Sequence, residues 1–217
     1  MEINEKTTFE AWKSAINAVM RDGREFIDTN SRQCKELVNL KVEVVAPEED
    51  VTKPIDFLNE SDKWVYPPTD EIENIVMTRR LAPAYNYSYG PTIFNFQGKV
   101  NQVDDFIIPL LKKDPVSRRA IISLWDPVAY CDINNKSVPG LISMHFRIVE
   151  ERLNVTCIIR SNDMFFGWPA NVYQAYVLQS YVAKKLNKEA GSITTISLSA
   201  HLFIDQEDDI RKVFERR

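Results

Sequence analysis

Between an apolar strand-like run and a long helix-like one, the chain reads Arg160-Ser161-Asn162-Asp163, then Gly167, Pro169 and Asn171. A guanidinium offers a planar fork of donors and the neighbouring hydroxyl a swivelling one, so Arg160 and Ser161 at a strand end form a compact clamp for an oxyanion or a phosphate. A helix opening near Ala170 adds oriented N–H groups. The same residues also suit a surface ion pair between Arg160 and Asp163 beside an N-cap. A second basic pair, Arg118-Arg119, follows Asp114-Pro115-Val116-Ser117. Adjacent residues of an extended chain point to opposite faces, so these two need separate partners. The usual fate of such a pair is a solvated basic corner.

The remaining chemistry is sparse. His201, in Leu198-Ser199-Ala200-His201-Leu202-Phe203, has apolar neighbours and reads as a half-buried, hydrogen-bonded residue. His145 falls on the polar side of an alternating run, without a special function. None of Cys34, Cys131 and Cys157 has a His or Arg placed by local sequence to lower its pKa, since Arg160 would face away from Cys157 on a strand. Three cysteines and two histidines, in no ligand spacing, make neither a disulfide scaffold nor a zinc site.

These groups must be positioned by a compact fold. The 217 residues are 44% hydrophobic and include four Trp, eight Tyr and eleven Phe, enough to bury a core, which excludes a disordered chain. The net charge of −4 argues against a sequence-independent nucleic-acid binder. No apolar run approaches the roughly 20 residues of a membrane span. The N-terminus MEINEKTTFEAW lacks the basic and apolar regions of a secretory signal, so the expected location is the cytoplasm.

Thr7 and Glu10 have capping-box spacing, and Phe9, Trp12, Ile16 and Val19 then recur at helical intervals up to Asp22-Gly23. Leu40, Val42 and Val44 alternate as in a strand. Residues 47–70, rich in proline and acids, read as a long surface loop pinned by Phe57 and Trp64. Helices are expected over 70–81 and 100–111, the second with Val100, Val103, Phe106, Ile107 and Leu110 on one side, kinked at Pro109 or stopped by Asp114-Pro115. Then come strands at 120–125, 141–149 and 153–159, the last two forming a hairpin through Glu150 and Glu151. A long helix over 170–186, a β-branched strand over 192–204 and a charged C-terminal helix complete the pattern. The expected class is α+β: one domain over 1–217, a mixed sheet packed by helices.

In order and spacing, these segments resemble thymidylate synthase and the related pyrimidine nucleotide hydroxymethylases, in particular the compact archaeal and phage-like members. The resemblance rests on Tyr89-Gly90, Asn101-Gln102-Val103, Asp114-Pro115, Ser117-Arg118-Arg119-Ala120, Trp125, Pro139, Arg160-Ser161-Asn162-Asp163, Gly167, Asn171 and His201. It runs from about Tyr87 to Phe203, and the N-terminal third matches poorly. It implies a homodimer packed sheet to sheet that binds a pyrimidine nucleoside monophosphate such as dUMP or UMP. Arg160 and Ser161 would hold the phosphate within one subunit, and Arg118 and Arg119 would reach it from the partner. Asn171 and Gly167 would belong to the base site, and His201 would meet the sugar. Asp163 would order the base or a folate cosubstrate, methylenetetrahydrofolate in this family, and Tyr89 would join the proton-transfer network. No metal is implied.

Two positions depart from the family. The cysteine that adds to C6 of the pyrimidine follows the proline that begins the central strand; here that residue is Gly140, with Phe146 keeping the family's aromatic six residues on. Glycine has nothing to attack with. Phe203 stands where the family has a tyrosine whose hydroxyl donates to the ribose, which leaves the choice of sugar open. The expected function is a one-carbon transferase acting on pyrimidine C5 without the usual nucleophile; the alternative is a catalytically silent nucleotide-binding or regulatory homologue.

Overall fold

The computed structural model describes residues 1–80 and 89–215. Leu81, the last residue of an expected helix, and Tyr87, where the resemblance begins, lie outside them. Among the described residues one mixed sheet runs in the order β1 (Glu2–Glu5), β3 (Gln33–Val44), β7 (Glu189–Phe203), β6 (Arg152–Asp163), β5 (Leu141–Val149), β4 (Ile121–Ser123), and β2 (Arg24–Ile27) pairs with the first residues of β3. The neighbours β6 and β7 are parallel, which requires a crossover, and helix α7 (Gly167–Leu186) supplies it. The other helices are α1 (Thr8–Asp22), α2 (Lys53–Asn59), α3 (Thr69–Met77), α4 (Tyr89–Phe94), α5 (Ile108–Lys113), α6 (Pro127–Tyr130) and α8 (Glu207–Glu215).

The alternation at Leu40, Val42 and Val44 and the helical spacing of Phe9, Trp12, Ile16 and Val19 both mark buried faces, and α1 packs on β3. The N-terminus of α1 is capped differently from the sequence expectation. Thr7 makes no cap bond; instead the Asp50 carboxylate accepts from the N–H groups of Thr8 at 2.6 Å and Phe9 at 3.1 Å. The expected loop over 47–70 contains α2, which buries Pro54, Ile55 and Leu58. Proline in a first turn starts a helix rather than breaking it.

The expected helix over 100–111 is a π-helical turn (Gln102–Ile107) leading into α5. Pro109 has no N–H to continue the ladder, and the widened turn leaves Val100 and Phe106 exposed while Val103, Ile107 and Ile108 are buried. The expected strand over 120–125 shortens to three residues. The hairpin holds: Glu150 and Glu151 have φ of 49° and 66°, the pair of left-handed residues that a two-residue turn between twisted strands requires.

The sheet changes phase in its middle. Buried positions in β6 are Leu153, Val155, Cys157 and Ile159, but then Asn162; in β7 Ile193, Thr195 and Ser197 are fully enclosed, with Thr194 between them nearly so, but then Ala200 and Leu202. The pairing joins Ile159, Ser197 and Leu40 in one row and Ser161, Ser199 and Val38 in the next, stepping over Arg160, Leu198 and Asn39, the last at φ 56°. Below this row odd-numbered residues of β6 and β7 face α1 and α7. Above it they face the opposite side, so Ser161, Ser199, His201 and Phe203 emerge on the same face as Arg160.

Candidate functional site

That phase change builds a cleft of about 600 Å³ lined by Arg160, Ser161, Ser199, His201, Phe203 and Glu36, and closed at one end by the β2–β3 hairpin. In the hairpin, the Asp28 carboxylate accepts from the N–H groups of Asn30 and Arg32, both at 2.8 Å, and Ser31 takes the left-handed φ of 63°. Arg160 is exposed and has no ion pair among the described residues, so the alternative pairing with Asp163 is not formed. Asp163 instead turns the chain from β6 into α7, its Oδ1 accepting from the N–H groups of Phe165 at 2.8 Å and Phe166 at 3.1 Å. Burial holds its carboxyl above the usual carboxylate range, against the pull of those amides and of the His201 and Arg32 charges. Asp163 and His201 face each other across β6 and β7.

Behind the cleft, the buried Asn162 donates to Ser197 Oγ at 3.0 Å, and its Oδ1 accepts from Asn171 Nδ2 at 3.1 Å. Asn171 is thus fixed from inside, and its own carbonyl oxygen has no hydrogen bond among the described residues. Gly167 lies beside them, where a Cβ would make ordinary contacts of 3.5 Å with Asn162 Oδ1 and with the Asp163 side chain.

Gly140 lies beside the strand that carries Arg160 and Ser161. Its carbonyl accepts from the Arg160 N–H at 2.7 Å, and the next amide, Leu141, donates to the Tyr89 hydroxyl at 3.3 Å. A Cβ at residue 140 would lie 3.2 Å from the Ser161 carbonyl oxygen and 3.8 Å from the Tyr89 hydroxyl, at an ordinary φ. Tyr89, Gly140 and Ser161 therefore meet.

Arg118 and Arg119 do not join them. Both are exposed, on a loop held by Arg147, whose guanidinium donates to the carbonyls of Val116 and Ser117 at 3.1 Å each. The β4–β5–β6 register extends Arg119 to Arg147 and Asn154, six residues short of Arg160. At about 3.3 Å per residue that is roughly 20 Å along the sheet. One chain cannot bring all four phosphate candidates together.

Of the cysteines, Cys34 is buried at the cleft wall and Cys157 in the core; burial raises both thiols, Cys157 to about 12, which suits neither to nucleophilic attack. Cys131 is exposed on the segment leading to Gly140. His145 lies on the outward side of β5 with its Nε2 buried and unpartnered among the described residues. Among those residues no group of His, Cys, Asp or Glu that could hold a metal ion comes together, and no helix is long and apolar enough to cross a membrane.

Glu36, Ser199 and the Asp28 hairpin are cleft residues that the sequence reading passes over. Their signal was weak, because the alternation in β3 is legible only at its apolar end, whereas Arg32 to Glu36 is polar.

The thymidylate synthase family model matches residues 26–217. A protein of Methanosarcina mazei named "Putative thymidylate synthase" is 31% identical over 211 residues, covering 97% of this chain and 93% of that protein. One of the same name from Methanococcoides burtonii is 30% identical, covering 98% and 94%. The "Thymidylate synthase" of Bacillus licheniformis is 31% identical over 138 residues, 63% of this chain and 48% of that protein. The match begins at Phe26, not near Tyr87, and so takes in the hairpin and β3 that wall the cleft.

Proposed function

The chain belongs to the thymidylate synthase family, and on that premise we propose that its cleft binds a pyrimidine nucleoside 5′-monophosphate of the dUMP or UMP type. The observation that carries this reading is that Arg160, Ser161 and His201 share one cleft although two of them are adjacent in sequence. A phosphate dianion provides the charge partner that Arg160 lacks within the described residues. Arg118 and Arg119 of a second copy, in a homodimer packed through its sheets, complete the clamp. The field is local, which reconciles an anionic ligand with an acidic chain. His201 meets the sugar. Asn171 reads the base edge with its remaining carbonyl, with Gly167 at the start of the same helix beside it.

The reaction we propose is transfer of a one-carbon unit to C5, of methyl or hydroxymethyl type, by a route without the family's thiol. A reduced folate such as methylenetetrahydrofolate fits the residues present. Asp163 Oδ2 accepts no hydrogen bond among the described residues and can take the N–H donors of a pterin, while the Tyr89 hydroxyl lies beside Gly140. When bound, that group would supply the carbon.

The second reading, a catalytically silent nucleotide-binding or regulatory homologue, is favoured by Gly140 itself, which has no atom to add to C6. Titration calorimetry with dUMP, UMP, dCMP and CMP tests the binding reading, and failure of all four to bind rejects it. Tritium release from C5-labelled nucleotide, with and without the folate, separates the two functions. Release by the unaltered chain supports transfer; release only after Gly140→Cys supports the silent reading.

A further inference from the structure

We infer that Glu36 is an internal anion seated beside the phosphate clamp, one that a nucleotide must displace and that keeps free phosphate out; this rests on the nucleotide reading above. Glu36 lies on β3, half-buried in the wall of the cleft. The Ser199 hydroxyl donates to its Oε1 and ties the carboxylate to β7. Ser199 is in turn the direct cross-strand partner of Ser161, the hydroxyl assigned to the phosphate, and both side chains line the cleft. Adjacent strands stand about 5 Å apart, so the carboxylate held at Ser199 is a near neighbour of any phosphate held at Ser161.

No cation neutralises Glu36 by contact. Arg24, its cross-strand neighbour on β2, makes no ion pair among the described residues, and neither does Arg160 in the same cleft. His201, its neighbour on β7, makes no hydrogen bond to it among those residues and has the Asp163 carboxylate on its other side. One hydroxyl is the whole anchor. A phosphate oxygen can accept from that same Ser199 hydroxyl once the carboxylate has turned away, so the exchange leaves no donor unpaired.

Until it turns away, Glu36 meets the phosphate as a like charge. For a dianion about 5 Å from a carboxylate, even the dielectric of water with salt present leaves a repulsion worth about fivefold in affinity. The loss falls on every ligand that carries the phosphate. A nucleotide has contacts from its base and sugar to set against it, whereas inorganic phosphate has none, and Glu36 thereby restricts the clamp to a phosphate that arrives on a nucleoside.

Calorimetry of the full chain at pH 8 with dUMP, deoxyuridine and inorganic phosphate tests this. Glu36→Gln, which keeps the side chain's size and an oxygen for Ser199, should bind dUMP and inorganic phosphate each at least about fivefold more tightly than the unaltered chain. Deoxyuridine, which has no phosphate, should change by less than about twofold. Glu25→Gln, an equal charge change at an exposed β2 residue outside the cleft lining, should leave dUMP binding within about twofold. Thermal melts establish that each variant is folded. Absence of a gain for dUMP or for inorganic phosphate in Glu36→Gln, an equal gain for deoxyuridine, or an equal gain in Glu25→Gln overturns the role of Glu36 while leaving the nucleotide reading intact. If neither dUMP nor inorganic phosphate binds to either form, both fall.

Discussion

Arg160 emerges where three paired strands change phase, with a buried asparagine network behind it and Ser161 and His201 beside it in one cleft. Arg118 and Arg119 stand on a loop entering an edge strand, the preceding backbone at Val116 and Ser117 tethered by the half-buried Arg147 guanidinium and their own side chains in solvent. The two clusters carry the same charge and the same family resemblance, but one is built from inside and the other waits at the surface. A binding group can thus be fixed by the core of its own chain or left for a second chain to use. A separation of roughly 20 Å along the sheet makes the second arrangement necessary for Arg118 and Arg119 if they are to meet the phosphate that Arg160 holds.

The largest effect is expected at Asn162, whose carboxamide joins Ser197 to Asn171 in the buried floor. Asn162→Ala should destabilise the fold by about 2 kcal/mol in denaturant unfolding, because it strands buried polar partners. A loss below 0.5 kcal/mol, a level set by solvated groups, would show that the cleft is not supported from inside. Arg160→Ala should weaken nucleotide binding by about 1.5 kcal/mol, the size of a charge-assisted contact, with little change in stability. An unaltered dissociation constant would remove Arg160 from the site.

Asp163→Asn sharpens the contrast from the other direction. Burial raises the folded-state pKa of this carboxyl above its unfolded value, so its favourable contribution belongs to the protonated form and is lost as pH rises through the raised value. The asparagine keeps an oxygen for the amides of Phe165 and Phe166. It should therefore raise Tm by a few degrees near pH 8 and by progressively less toward acid. A lower Tm at every pH would contradict the burial argument. The smallest effect belongs to the surface corner. Arg147→Ala should cost about 0.5–1 kcal/mol of stability, because its bond to Val116 is solvent-exposed and its bond to Ser117 only part-buried, yet it should weaken nucleotide binding by loosening the loop that carries Arg118 and Arg119. A large stability loss would make that loop structural instead.

The periodic elements were legible in the sequence because burial imposes its period on them. Trp12 and Ile16 on α1, Leu40 to Val44 on β3 and the hairpin at Glu150 all reflect one buried face meeting one solvated face. What hid from the sequence was whatever broke the period or came from elsewhere. Asp50 caps α1 from a distant segment, Pro54 opens a helix in an apparent loop, and Pro109 widens one into a π turn. The site divides in the same way. Arg160, Ser161, Gly140 and His201 are marked by local motifs, whereas Glu36 and Ser199 join them only through strand pairing and a phase change that no local window records.

Mixing two defective variants decides whether one phosphate is gripped by two chains. Arg160→Ala and an Arg118→Ala, Arg119→Ala double variant should each bind nucleotide poorly alone. Co-refolded in equal amounts, they should regain tight sites in about a quarter of the chains, since half the dimers are mixed and each mixed dimer holds one intact site. Calorimetry showing no recovered tight sites, or full binding by the double variant on its own, would contradict a clamp shared between two copies.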